Sequence, residues 1–437
     1  MSIAYHKKEN AAPPDLSAGK GGVGNTPGPA PCTNAGQTRD EEKRAGSLYV
    51  HVPFCRSKCR YCDFYSVAMD DSTARAYVDA VLWELASCAG RLRHPLQTVF
   101  LGGGTPTVLG ADLLARLLSG IGKFTGLETE VTVEANPGTV SPPVAAALVQ
   151  SGVNRLSLGI QSFHDEELAF LGRIHTAEQA EAAVEELLQA GIANIGADLI
   201  YGICGQTLAS WEETLRRTLG LPIRHLSCYA LSIEAGTPLA RDIQASLTAV
   251  RPEGISAAGG LAEMDDDAQK DCYLTAIDAA RRAGMEQYEI SNFSHPGFPC
   301  RHNLTYWRNE PYLGLGPGAA SYLDGVRRKN RPDLRAYLTA IRAGRRPPAS
   351  RERLAGRPAM AETLMLGLRM VQGVDRQVVA ARFGLDPLEA FPACLARYGD
   401  MGAIVVTPEV IRLNPQYFFV SNTILADILA EASSRSV

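Results

Sequence analysis

Three cysteines, Cys55, Cys59 and Cys62, fall within eight residues in the segment LYVHVPFCRSKCRYCDFYS. The C-x3-C-x2-C spacing lets three thiolates wrap one inorganic cluster, and iron–sulfur clusters are held by cysteine thiolates. A cube with four irons and only three cysteines leaves one iron open to a small molecule, an arrangement for chemistry rather than storage. The competing assignment is structural zinc, with His51 as a fourth ligand. Structural zinc sites usually pair two cysteine knuckles at a distance, and no second knuckle occurs here. Unliganded core cysteines fit less well still, because Arg56, Lys58 and Arg60 between the thiols make a poor core segment.

A second candidate is Gly102-Gly103-Gly104-Thr105-Pro106-Thr107. Three glycines let a ligand approach the backbone closely, so that amides and carbonyls can bind it. No Gly-Lys-Ser/Thr follows, so this is not a phosphate loop. Taken alone, the triplet also suits an ordinary strand-to-helix turn.

These residues need a scaffold, and the chain supplies an alternating one. Short β-rich runs at 48–52, 98–101, 131–135, 155–159, 195–200 and 225–229 predict strands. Amphipathic stretches at 72–91, 112–121, 177–190 and 210–219 predict helices between them, with Ser72 and Ser210 as N-caps and Gly122 and Gly191 as stops. Six β-then-α units imply an α/β fold with a parallel sheet and right-handed crossovers, either open or barrel-like. The rhythm then changes. A helix is expected at 267–283, opened by acidic residues, and a strand at 287–290. The run LGLGPGAASY at 313–322 reads as a loop, and a basic, Pro-containing linker follows at 345–351. Residues 358–437 read as helices and then two short strands, 404–406 and 410–413, a small winged-helix-like appendage.

Composition sets the outer limits. The chain has 437 residues, 46% hydrophobic and 21% charged, enough apolar material for a sizeable core. Forty-three Lys and Arg against 47 Asp and Glu give a net charge of −4, which argues against non-specific nucleic-acid or membrane-surface binding. No run of apolar residues is long enough for a transmembrane helix. The N-terminal residues lack a secretion signal's apolar core. With ten cysteines but one tight cluster, the chain reads as cytoplasmic rather than as a secreted disulfide scaffold. Residues 1–46, rich in Gly and Pro, read as a disordered tail.

With CxxxCxxC on the first βα loop and GGGTP on the second, the chain resembles the radical S-adenosylmethionine (SAM) superfamily. YVHVPFC, CDFYS, GGGTPT, EANPG, SLGIQSF, LGRIH and ADLIYG together resemble the oxygen-independent coproporphyrinogen III oxidase family. The resemblance runs from residue 48 to about 322 and on into the appendage. It implies a partial (β/α)6 barrel over 47–290, a segment and linker over 291–357, and a C-terminal domain over 358–437. It also implies a [4Fe–4S] cluster on Cys55, Cys59 and Cys62, with SAM beside it. By motif, the SAM site would take Tyr49, Gly103, Gly104, Thr105, Glu134, Gln161, Arg173 and Asp198. Gly103, Gly104 and Thr105 would receive the methionine amino end. Arg173 would clamp its carboxylate, since a guanidinium fork matches one. Asp198, an acid within an apolar strand, would find its partner in a ribose hydroxyl.

Two departures select a branch. The oxidases carry a fourth cysteine, as CxxxCxxCxC, where this chain has Phe64, and their N-terminal extension is missing. Both resemble the haem-chaperone branch, as does HNxxYW, present as His302 to Trp307. That branch implies haem as cargo, recipient haemoproteins and a low-potential electron donor, with a homodimer among its oligomeric states and no nucleic acid. His302 would ligate haem, with Tyr306 and Trp307 beside the ring. The alternative is a true enzyme that decarboxylates the propionates of coproporphyrinogen III. The turn Gly202-Ile203-Cys204-Gly205 has Cys204 where the family usually has proline, and no role is assigned to it.

Overall fold

The computed structural model describes residues 44–248 and 263–434. Six parallel strands lie side by side in chain order: β1 (Ser47–Val52), β2 (Thr98–Gly103), β3 (Glu130–Ala135), β4 (Arg155–Gln161), β5 (Ile195–Tyr201) and β6 (His225–Ala230). All six residues of β1 are buried, as expected of a parallel strand covered on both faces. Helices return the chain between strands and bury a stripe against them. The helix Gly110–Gly122 does so with Leu113, Leu114, Leu117, Leu118 and Ile121, at helical spacing. The chain therefore folds as the expected α/β radical SAM architecture with a helical C-terminal region.

The caps differ in detail from expectation. Asp70, not Ser72, caps the first helix by accepting from the Thr73 amide. Thr207 caps the helix Leu208–Gly220, and Ser210 completes the reciprocal capping box. In both cases the residue with extended backbone is the one whose side chain reaches the first free amides. Gly191 does end its helix, at φ 105°. Gly122 falls inside its helix, and Lys123 is the C-cap.

The larger departure lies beyond β6. The sheet continues to twelve strands, and residues expected as a separate segment and linker form its flanks. Asn292–Ser294 and Glu286–Glu289 extend it antiparallel past β6. Tyr312–Leu315 pairs parallel with β1, followed outward by Ala320–Leu323, Val326–Asn330 and Ala349–Arg353. The run read as a glycine loop is thus two strands joined by a turn with Gly316 and Gly318 at positive φ. At Gly314 a side chain would meet the Ala320 carbonyl oxygen at 1.9 Å, so glycine there permits the close approach. The glycines signalled a tight hairpin. At the other end, residues 44–46 belong to the folded body, because Ala45 bridges Leu92 and Gly46 accepts from the Gln97 amide. The rest of the expected tail, through residue 43, lies outside the described residues.

The appendage packs onto this sheet. Its helices surround a three-stranded antiparallel sheet of Val374–Asp375, Val410–Leu413 and Ile404–Val406. Arg327 pairs with buried Glu362 across the junction. Arg382 donates to the Asn309 carbonyl at 3.2 Å and the Tyr322 hydroxyl at 3.1 Å. Removing one member of a buried pair strands the other, at about 3–5 kcal/mol when both are fully buried. Arg327 is partly exposed, so Glu362→Ala should lower unfolding free energy by less, about 2–3 kcal/mol. Glu362→Met with Arg327→Met should recover most of it in denaturant titration. Equal losses in both variants would show that the pair does not hold the junction.

Candidate functional site

The cysteine loop follows β1 and is tied down on three sides. The Arg60 amide donates to the Leu171 carbonyl at 3.0 Å, and the Arg60 carbonyl accepts from the Leu239 amide at 2.8 Å. Arg56 reaches the Gly138 carbonyl at 2.9 Å. The Cys62 amide turns back to the Cys59 carbonyl at 3.3 Å. Arg173 lies half-buried beneath the loop. Its guanidinium donates to the Cys59 sulfur at 3.5 Å, to the Gly159 carbonyl at 2.7 Å and to the Asn136 side chain. Burial raises the Cys55 thiol and pushes Cys62 up to about 12. Metal binding here must therefore displace protons.

The glycine triplet is shaped first by packing. The Gly104 amide donates to the Val52 carbonyl at 2.8 Å and the Thr105 amide to the Phe54 carbonyl at 2.7 Å. The Gly103 amide donates to Glu134 at 3.0 Å. A side chain on Gly104 would stand 2.5 Å from the Phe54 carbonyl oxygen, and one on Gly103 2.5 Å from the His51 ring. With these amides engaged, the loop can offer a ligand only its carbonyl oxygens. That suits a donor such as a protonated amine.

Other expected residues gather at the same end of the sheet. Gln161 closes β4 at φ 70°, a left-handed conformation unusual for a residue with a side chain, where the β4–β5 register shifts. A side chain on Gly159 would meet Gln161, Arg173 and Asn136 within 3.2 Å, which shows how tightly the three cluster. Asp198 in β5 accepts from Ser157 at 2.9 Å. Burial, with Glu134 nearby, pushes its carboxyl up to about 6 against the hydrogen bonds from Ser227 and Ser157. Asn136 was missed. It donates to Thr105 at 2.9 Å and accepts from Arg173, so it links the glycine loop to the cluster loop. Its position just after β3 in EANPG, level with the other strand-end residues, was the available signal.

Four expected site residues, Tyr49, His302, Tyr306 and Trp307, are placed elsewhere. Tyr49 is buried within β1, packed on Phe100 at 6.2 Å and bonded to His51 Nδ1 at 3.1 Å. His51 also uses Nε2, 2.9 Å from the Tyr65 carbonyl, so neither nitrogen is free for the zinc alternative. His302 is fully buried at the opposite end of the strands from the cysteines. Its Nδ1 is 2.7 Å from the hydroxyl of Thr98, the first residue of β2, and its Nε2 is 2.9 Å from the Tyr306 hydroxyl. Burial pushes its imidazole down to about 3. Glu130 fixes the helix Arg301–Trp307 by accepting from the Arg301 and His302 amides, each at 3.0 Å. Tyr306, four residues on from His302, shares its face. Trp307 turns away toward Leu366 and Met370 of the appendage, with Arg369 over its ring at 4.8 Å. At about 3.3 Å per residue, the length of β2 puts roughly 17 Å between His302's partner Thr98 and the glycine loop.

Among the described residues, no three His, Cys, Asp or Glu side chains converge on a point that would hold one metal ion. A tetrahedral zinc needs its sulfurs about 2.3 Å from one centre. Cys55, Cys59 and Cys62, all free and carried on one loop, make an all-thiolate donor set of the kind that holds an iron–sulfur cluster.

The raised Asp198 pKa carries a pH signature. In the folded chain the carboxyl keeps its proton above the unfolded value, so stability falls as pH rises from about 4 to about 6. Asp198→Asn should flatten that decline in denaturant titrations across this range. An unchanged pH profile would show that Asp198 ionises freely.

Residues 49–218 match the radical SAM superfamily, and residues 354–419 match the HemN C-terminal domain. A protein named heme chaperone HemW from Lactococcus lactis is 38% identical over 334 residues, covering 76% of this chain and 83% of that protein. The Bacillus subtilis protein of that name is 31% identical over 389 residues, covering 88% and 99%. The solved structure of coproporphyrinogen III oxidase HemN from Escherichia coli matches with a TM-score of 0.74. It covers 91% of this chain and 93% of that one at 21% identity, a likeness of fold. With Phe64 where the oxidases carry a fourth cysteine, and with relatives matched over most of their length, the chain belongs to the HemW family of the radical SAM superfamily.

Proposed function

We propose that this chain is a haem chaperone. It holds a [4Fe–4S] cluster on Cys55, Cys59 and Cys62, binds SAM beside it, and passes haem to recipient haemoproteins, with a low-potential donor reducing the cluster. The observation that carries the reading is the cysteine loop itself, with three thiols on one loop, Cys59 bonded to Arg173, and Phe64 in the fourth position. When bound, the cluster supplies electron transfer and one open coordination position. The chain's own residues then build the SAM site. Carbonyls of Gly103, Gly104 and Thr105 take the amine, Glu134, Gln161 and Asp198 line the strand ends, and Arg173 holds Cys59 from below. Tyr49 supports this site through His51 rather than by touching ligand.

Anaerobically reconstituted protein should carry about four irons and four sulfides per chain, and Cys59→Ala should lose the visible absorbance. Stoichiometric zinc in place of iron would overturn the cluster assignment. Incubation with SAM, a reductant and coproporphyrinogen III should yield no protoporphyrinogen. Turnover of that substrate would replace the chaperone by the oxidase.

Haem ligation by His302 carries a structural condition. With both ring nitrogens engaged, ligation belongs to an opened form in which the helix Arg301–Trp307 has released Thr98 and Nε2 is free. Tyr306→Phe removes a hydrogen bond worth about 1 kcal/mol to the closed form. It should raise haem affinity roughly fivefold, while His302→Ala should weaken binding and shift the absorption spectrum. Unchanged spectra and affinities in both variants would make this helix purely structural.

A further inference from the structure

A cavity of about 370 Å3 lies away from the cysteine loop, beside the end of the helix Asp71–Cys88 and the outer strands Val326–Asn330 and Ala349–Arg353. Arg91, Arg328, Arg346, Arg351 and Arg353 all line it. They come from separate parts of the chain: the turn after that helix, the two strands, and the basic linker noted in the sequence. Leu313, Leu323, Val326 and Pro347 supply apolar wall.

Strand alternation makes this convergence deliberate rather than incidental. In the run Val326-Arg327-Arg328-Lys329, Arg327 points to the appendage and pairs with Glu362, so Arg328 points the other way, into the cavity. The strand register then sets Arg328 directly opposite Arg351, and Arg353 opposite Val326. Like charges directly opposite one another destabilise a sheet. Arg328 is held in place by donating to the Pro347 carbonyl at 2.8 Å and to Asn330. Burial, with Arg351 and Arg346 nearby, lowers its pKa against the opposing pull of Glu84.

Two acids, Glu84 and Asp324, line the cavity against its five arginines, and Glu84 draws on Arg328. Asp324 stands 3.7 Å from Arg91 at the rim. The Glu84 carboxylate is consumed from within by the Gly316 amide at 2.9 Å, the Tyr337 hydroxyl at 2.7 Å and the Asn330 side chain at 3.1 Å. Arg346, Arg351 and Arg353 are exposed. A single exposed arginine is ordinarily just solvated. A ring of them around an apolar-walled concavity is an anion site, because the guanidinium fork matches carboxylate or phosphate oxygens in pairs.

We propose that this cavity binds a small organic ligand bearing at least two anionic groups, carboxylate or phosphate, with Arg328 and Arg351 gripping one group and Arg346 and Arg353 the other. The site lies at the opposite end of the strands from the cysteine loop, and it stands whether or not haem binds at His302.

The test is calorimetric titration of the full chain with three probes: inorganic pyrophosphate, the metal-free dicarboxylate mesoporphyrin IX, and its dimethyl ester. At least one dianion should bind. Its affinity should fall tenfold or more in Arg351→Gln/Arg353→Gln and in Arg346→Gln, and should weaken with added salt. Arg345→Gln, in the same linker but outside the lining, should leave affinity unchanged. The double variant should melt no lower than the parent without ligand, since it relieves like-charge repulsion. Pyrophosphate binding assigns the site to phosphates. Mesoporphyrin binding that is lost on esterification assigns it to carboxylates. Failure of both dianions to bind, or binding equal in parent and variants, overturns the proposal.

Discussion

Everything at the reactive end depends on how closely β2 approaches the end of β1. The amides of Gly104 and Thr105 donate to the carbonyls of Val52 and Phe54, across a gap that a side chain on Gly104 would close. That contact sets where Cys55 leaves the sheet, because Phe54 immediately precedes it. Thr105 then stands 3.8 Å from the Cys55 sulfur and takes a hydrogen bond from Asn136, which in turn binds Arg173 beneath Cys59. One backbone approach thus propagates through three side chains to two of the thiols.

Arg173 is the second constraint, and its cost shows why it is placed there. A half-buried guanidinium still needs its donors satisfied. Here they go to the Gly159 carbonyl, the Asn136 amide oxygen and the Cys59 sulfur, with the Tyr61 hydroxyl a further partner. The positive charge is left to act on the cysteine loop, where a metal-bound thiolate would carry negative charge. The methionine-clamp role implied by resemblance would place the same guanidinium between the cluster loop and a ligand carboxylate.

The two ends of the sheet do opposite things. The ends that carry the cysteines, the glycine loop, Gln161 and Arg173 bring together small and polar residues, with Gln161 in a left-handed backbone. The other end is closed by the helix Arg301–Trp307, pinned by Glu130 at its start, by His302 to Thr98 and by Trp307 to the appendage. His302 and Cys59, the residues proposed for cargo and cluster, are therefore separated along the strands, and coupling between them would travel through the sheet or through opening of that helix.

What could be read from the sequence was local. The cysteine spacing, the glycine triplet, the six strands and several helix boundaries rest on contacts between near neighbours or on a periodic apolar pattern, and those survive intact. Only the tertiary structure decided what depends on distant partners. His302 lies 204 residues from Thr98, and Arg173 lies 114 from Cys59. The hairpin built by LGLGPGAASY could not be told from a loop until β1 offered it an edge. Short motifs name the residue types a site needs, but whether a histidine is a free ligand or a satisfied core residue depends on what folds against it, and no local pattern encodes that neighbour.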